Sequence, residues 1–172
     1  MADNEALILV GHGSRLPFSR ELIQTIAEKI RSRNEYGIVE YGMMEFNTPT
    51  IKDAVDAAIA KGGKRLIVVP VFLAPGNHSE RDIPTILGLG PTEKAAQILE
   101  EEGGHCHHHA EPKKKGFLAG LFGHGHEHHH HHHDHKCDAI GKLPDDVEIV
   151  YRGTIGADDK IVEIVLERAK GL

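Results

Sequence analysis

The chain has 172 residues, 40% of them hydrophobic and 27% charged, which suits a single globular domain and excludes general disorder. Its net charge of −6, its lack of Trp and its 5% aromatic content argue against a nucleic-acid binder, which needs a basic face and stacking platforms. No apolar run approaches the ~20 residues of a membrane span, and the MADNEALILVGHG start lacks a basic signal region, so the sequence reads as a cytoplasmic protein without a membrane partner.

In chain order, Ala6–Val10 (ALILV) is a continuous apolar run that ends in GHGSR, the pattern of a buried parallel strand followed by a tight loop. Phe18, Leu22, Ile23, Ile26 and Ile30 follow at helical spacing. Ile38–Met44 predicts a second strand. Thr48 is suited to cap the next helix, with Pro49 at its first position and Ile51, Val55, Ala58 and Ile59 along one apolar face. Leu66–Leu73 (LIVVPVFL) predicts the strongest strand. Pro70 removes a ladder donor there, which predicts an edge position or a local irregularity. A helical region from about Ile83 to Glu102 is broken near Gly88–Pro91. Val147–Tyr151 predicts a fourth strand, and Ile161, Ile164, Val165 and Arg168 or Ala169 mark a last helix. Four βα units in succession predict an α/β domain: a four-stranded parallel sheet flanked by helices.

One stretch departs from this pattern. Of the 15 His, 13 lie in a low-complexity segment, Gly103–Cys137: His105, His107, His108, His109, His124, His126, His128, His129, His130, His131, His132, His133 and His135. The segment carries a net charge of +1, so the remaining residues hold −7. It has almost nothing to bury and is expected to be a flexible His-rich insertion within the single domain 1–172. Closure cost grows slowly with loop length, so the sheet tolerates it. An expression tag explains such a run at a terminus, but this one is interior. Imidazole captures nickel, cobalt, zinc or copper, so the tract reads as an accessory metal collector. Cys106 and Cys137 bracket it, and a structural disulfide is disfavoured in a reducing compartment. They are either added thiolate ligands or two ordinary thiols.

The other two histidines are His12 and His78. His12 directly follows the first strand, His78 follows the third, and Glu45 closes the second. Open parallel sheets bind ligands beyond the carboxyl ends of their strands, which places all three residues on one rim. Two solvated loop histidines would be the bland alternative, yet no other scaffold position carries His. Gly11, Gly13 and Gly76 allow tight turns or close approach to a flat ligand, or simply make loops. Ser14 lacks the glycine two residues on that a nucleophile elbow needs. Arg15 stands three residues from His12, which keeps a phosphohistidine mechanism only as a weak alternative. No phosphate-cradling G-x-x-x-x-G-K-[ST] loop is present.

LILVGHGSR, MMEFNTPTI, VVPVFLAPGNHSERDIP and the closing VEIVYRGTIGADDKIVEIVLERA resemble the short-form class II chelatases of archaea, the small sirohydrochlorin cobaltochelatases and nickelochelatases. The resemblance covers nearly all of the chain outside the His-rich segment, and a His-rich insertion before the last βα unit occurs in some members. It implies a chelatase-like fold, a homodimer, and an enzyme that inserts Co2+ or Ni2+ into sirohydrochlorin with no permanently bound cofactor. Cobalt would serve cobalamin synthesis, nickel the nickel tetrapyrrole of methanogens, and iron is less favoured. It further implies that His12 and His78 bind the metal, that His12 accepts protons, and that Leu73, Ala74, Pro75, Gly76, Asn77 and His78 line the tetrapyrrole with Glu45 as a further contact. Metal insertion displaces two pyrrole protons, and imidazole, which titrates near neutral pH, suits that task. The substrate's carboxylates need local cations, because a chain at −6 has no attractive global field. Arg15 and Arg81 are the candidates, with ordinary surface charge as the alternative. A His-rich metal-storage protein or metallochaperone without catalysis is the rival reading.

Overall fold

The computed structural model describes residues 4–103 and 139–172; the thirteen tract histidines, Cys106 and Cys137 lie outside the described residues. Strands β1 (Glu5–Gly11), β2 (Ile38–Met43), β3 (Arg65–Pro70) and β4 (Glu148–Tyr151) form one parallel sheet in the order β2-β1-β3-β4. The helices are α1 (Phe18–Arg31), α2 (Ile51–Ala60), α3 (Ile83–Ile86), α4 (Glu93–Gly103) and α5 (Asp159–Ala169). A π-helical turn, His78–Asp82, leads directly into α3. The α/β class and four βα units are as the sequence predicts. Among the described residues, no helix is long and apolar enough to cross a membrane.

The continuous apolar run in β1 follows from burial on both faces. Ala6, Ile8 and Val10 face a core shared with Met44, Ala54, Val55 and Leu87, while Leu7 and Leu9 face Ile23, Ala27 and Met43. Period-two alternation divides one apolar strand between two cores. The same central strand creates the binding rim. The chain moves from β1 outward to β2, then returns to lay β3 on the other side of β1. The strand order therefore reverses between β1 and β3, and an α/β sheet opens its crevice at such a switch point.

Four details differ from expectation. β3 is an interior strand, not an edge. Its Pro70 is tolerated because it is the last residue, two positions beyond the final β4 pair, Val68 with Tyr151. The neighbouring Val71 N–H donates to Val10 O, so strand alternation turns the Pro70 nitrogen toward the side where the β4 ladder has ended. The cap of α2 is Thr50 and not Thr48. Thr50 Oγ1 accepts from Asp53 N, and Asp53 Oδ2 accepts from Thr50 N at 2.8 Å, a capping box, while the Thr48–Pro49 bond is cis. In α1, Ile23 and Ala27 are buried, but Phe18 and Leu22 are exposed near the rim. Finally, α5 has helical periodicity and an Asp158 cap, yet none of its residues is buried.

Candidate metal centre

Three backbone hydrogen bonds extend the ladder past the strand ends and carry the site residues with them. Val71 N bonds Val10 O, Met44 N bonds Gly11 O, and Glu45 N bonds His12 O at 3.0 Å. The last of these locks the loop bearing Glu45 against the loop bearing His12. Ser14 N donates to Asn47 Oδ1 at 2.9 Å, a second tie between the two. Gly13 stands at the crossing with φ of 97°, and a Cβ there would lie 1.9 Å from Glu45 O. Only glycine lets these loops meet. Ser14 Oγ accepts from Leu16 N and so shapes the turn after Gly13.

His12 and His78 meet edge to face, with ring centroids 4.8 Å apart and planes at 82°. Phe72 lies beside His12 at 6.0 Å. One ligand atom from each of His12, Glu45 and His78 falls within 4.8 Å of the others. Glu45 Oε1 is 4.0 Å from His78 Nε2. The rim therefore gathers the three residues that sequence position placed there.

The hydrogen bonds also set the imidazole tautomers. His78 Nδ1 is 2.7 Å from Asp82 Oδ2. Burial raises the Asp82 carboxyl pKa, but hydrogen bonds from Arg81 and His78, with their charges, outweigh it and leave the group below its ordinary value. An ionised carboxylate can only accept, so His78 Nδ1 carries hydrogen and the Nε2 lone pair is left for a ligand. His12 Nδ1 faces Gly13 O at 3.2 Å, and a carbonyl likewise only accepts, which leaves His12 Nε2 free. Two imidazole lone pairs and a carboxylate on an open rim make an incomplete coordination set. Such a set can hold a cation with positions to spare, as a transferring site requires and a closed structural site does not.

Asp82 escaped the sequence reading. Its signal was present in H-S-E-R-D, a His and an Asp four apart at the start of a helical run, the spacing that puts two side chains on one face. The turn after Arg152 was missed too. Ile155 N donates to Phe72 O and Gly156 N to Leu73 O, so this turn borders the rim and presents an exposed Ile155.

Leu73, Ala74, Pro75, Gly76 and Asn77 are all exposed, and His78 is half-buried. A Cβ on Gly76 would meet no protein atom within 4 Å, so this glycine serves no internal packing need. Arg81 is turned toward Asp82, with Nε 2.8 Å from Oδ1, and Arg15 lies over the Phe46 ring at 5.7 Å. A cleft of about 350 Å³ runs between the Pro75–Arg81 segment and α4, with Arg81 and Lys94 as its cations and Glu80 as its acid.

The CbiX family model matches residues 6–172. The chain is 52% identical to the sirohydrochlorin cobaltochelatase of Methanococcus aeolicus, over 97% of this chain and 99% of that protein. It is 40% identical to the sirohydrochlorin cobaltochelatase of Methanopyrus kandleri, over 96% and 94% of the two chains. Among solved structures, the sirohydrochlorin chelatase SirB from Bacillus subtilis subspecies spizizenii, in complex with cobalt, aligns with a TM-score of 0.59 at 20% identity. That alignment covers 98% of this chain and 51% of SirB, so this chain spans about half the length of the Bacillus protein. The putative cobalamin biosynthesis CbiX protein from Marinobacter aquaeolei aligns with a TM-score of 0.53 at 18% identity, over 97% and 95% of the two chains. These structural likenesses establish the chelatase fold.

Proposed function

Because the chain belongs to the CbiX family, we propose that it is a cytoplasmic chelatase that inserts a divalent metal, cobalt or nickel, into sirohydrochlorin. The observation that carries this reading is the cluster of His12, Glu45 and His78 donor atoms within 4.8 Å on an open rim. The metal is a substrate here. It is held by the two free Nε2 atoms and the Glu45 carboxylate while its waters are replaced by pyrrole nitrogens. As the metal–nitrogen bonds form, two pyrrole N–H bonds break and their protons leave. His12 is the more exposed of the two imidazoles; once the metal passes from it to the pyrrole nitrogens, its Nε2 lone pair is released and takes these protons in turn, returning each to water. Exposed Leu73–Asn77 and Ile155 supply surface for the macrocycle, and Arg81 with Lys94 supplies positive charge for its carboxylates.

Mixing the protein anaerobically with sirohydrochlorin and equal concentrations of cobalt, nickel or iron tests the reading. The macrocycle absorption should change fastest with cobalt or nickel. A spectrum that stays unchanged with every metal would instead favour the storage or metallochaperone reading. The histidine tract enters this scheme as an accessory collector of metal, on composition alone.

The proposed assembly is a homodimer. Val162, Ile164, Val165 and Leu166 of α5 are all about half exposed or more, and Ile67 and Val69 of β3 are only half-buried on their face of the sheet. Covering such apolar area is what drives association, and a second copy of the chain supplies a matching face. Sedimentation should report twice the 18.9 kDa chain mass, and Val165→Asp should shift the protein toward monomer. A wild-type monomer at micromolar concentration would refute the dimer.

A further inference from the structure

The turn that presents His78 leaves one buried carbonyl without a backbone donor. Ile83 N–H reaches back five residues to His78 O, which widens the turn from α to π. Ser79 O would draw on that same Ile83 N–H in an α-helix. In π register it would draw on residue 84, which is Pro and has no N–H. Ser79 is 1% exposed, so water is not at hand to replace the bond. The missing donor comes from far along the chain: Tyr151 Oη donates to Ser79 O at 2.7 Å. Tyr151 ends β4 and pairs with Val68, so it stands on the sheet and not on a loop.

We propose that Tyr151 is a positioning residue for His78: its hydroxyl pins the carbonyl next to His78 and so holds that imidazole in reach of His12 and Glu45. The other ties on this turn are local. Ser79 Oγ bonds the Gly76 N–H and carbonyl, and Glu80 accepts from Thr92. Among the described residues, the Tyr151 phenol is what connects the carbonyl beside His78 to the sheet. Burial, then the Glu80 carboxylate, holds the phenol above its ordinary pKa, so it stays a donor across the working range. A displaced His78 weakens capture of metal and leaves the surface offered to the macrocycle in place.

The inference rests on the chelatase reading, and its test includes a measurement made without tetrapyrrole. Tyr151→Phe should raise the KM for cobalt about tenfold or more, in the range seen when an outer partner of a metal ligand is lost, while the KM for sirohydrochlorin holds. The visible absorption of Co2+ bound to the protein alone should shift in the same variant. Tyr151→p-aminophenylalanine keeps a donor and should restore both properties, which keeps the test open if Tyr151→Phe folds poorly. Val39→Ala, a core change in edge strand β2 on the opposite face of the sheet from Tyr151, should lower the melting temperature without moving either readout. Wild-type cobalt KM and spectrum in Tyr151→Phe, no restoration by the amino variant, or equal changes in Val39→Ala would overturn the proposal. Failure of the wild-type chain to metallate sirohydrochlorin would count against the chelatase reading and leave the cobalt spectrum to judge Tyr151.

Discussion

Replacing His12 or His78 by Ala should lower the metallation rate by at least about 100-fold, the lower end of what a positioned acid–base group contributes. Neither change should unfold the protein. His12 is exposed and the His78 side chain retains 40% exposure, so truncation opens no core cavity. Asp82 keeps Arg81 as a partner after His78 is gone, so no carboxylate is stranded. The two variants should fail differently. His78→Ala removes a ligand whose tautomer Asp82 fixes, so added cobalt should recover part of its rate. His12→Ala removes the proton acceptor as well, and excess metal should not recover it. Initial rates against cobalt at several pH values, with melting curves in parallel, separate these outcomes. Wild-type rates in both variants would sink the mechanism.

Much of this site was legible because the sheet makes position informative. ALILV followed by GHG reads as a buried strand opening on its loop, and LIVVP does the same before PGNH. Parallel strands place such loops on one rim, so His12, Glu45 and His78 could be brought together without knowing the strand order. What stayed hidden depends on partners distant in sequence or on surroundings. Tyr151 serves Ser79 across 72 positions, and nothing in EIVYRG announces it. Pro70 suggested an edge because proline removes a donor, but whether that matters depends on where the neighbouring strand stops. Thr48 and Thr50 both precede the α2 face. Asp53 decides between them, because it lies three residues after Thr50 and completes the box. The apolar period of α5 was visible as well, yet period alone does not say whether the covering surface belongs to the same chain.

Two of the rim glycines, Gly13 and Gly76, should separate construction of the site from occupation of the site. Gly13→Ala should lower the melting temperature and abolish metallation together. Its φ of 97° is one that an L side chain rarely adopts, and left-handed backbone costs such a residue about 1–2 kcal/mol. The new methyl would also stand 1.9 Å from Glu45 O, a backbone atom that no rotamer change can move. One loop must withdraw. Since Glu45 N is bound to His12 O, withdrawal pulls a carboxylate and an imidazole apart at once. Gly76→Ala should behave in the opposite way. Its φ is not in the left-handed range and its added methyl meets nothing within 4 Å, so folding and cobalt binding should be unchanged. A macrocycle resting on Leu73–Asn77 would feel that methyl, and the KM for sirohydrochlorin should rise on its own. Wild-type stability and rate in Gly13→Ala would mean that the close crossing of the two loops does not build the site. An unchanged sirohydrochlorin KM in Gly76→Ala would move the macrocycle away from this segment and toward the Ile155 side of the rim.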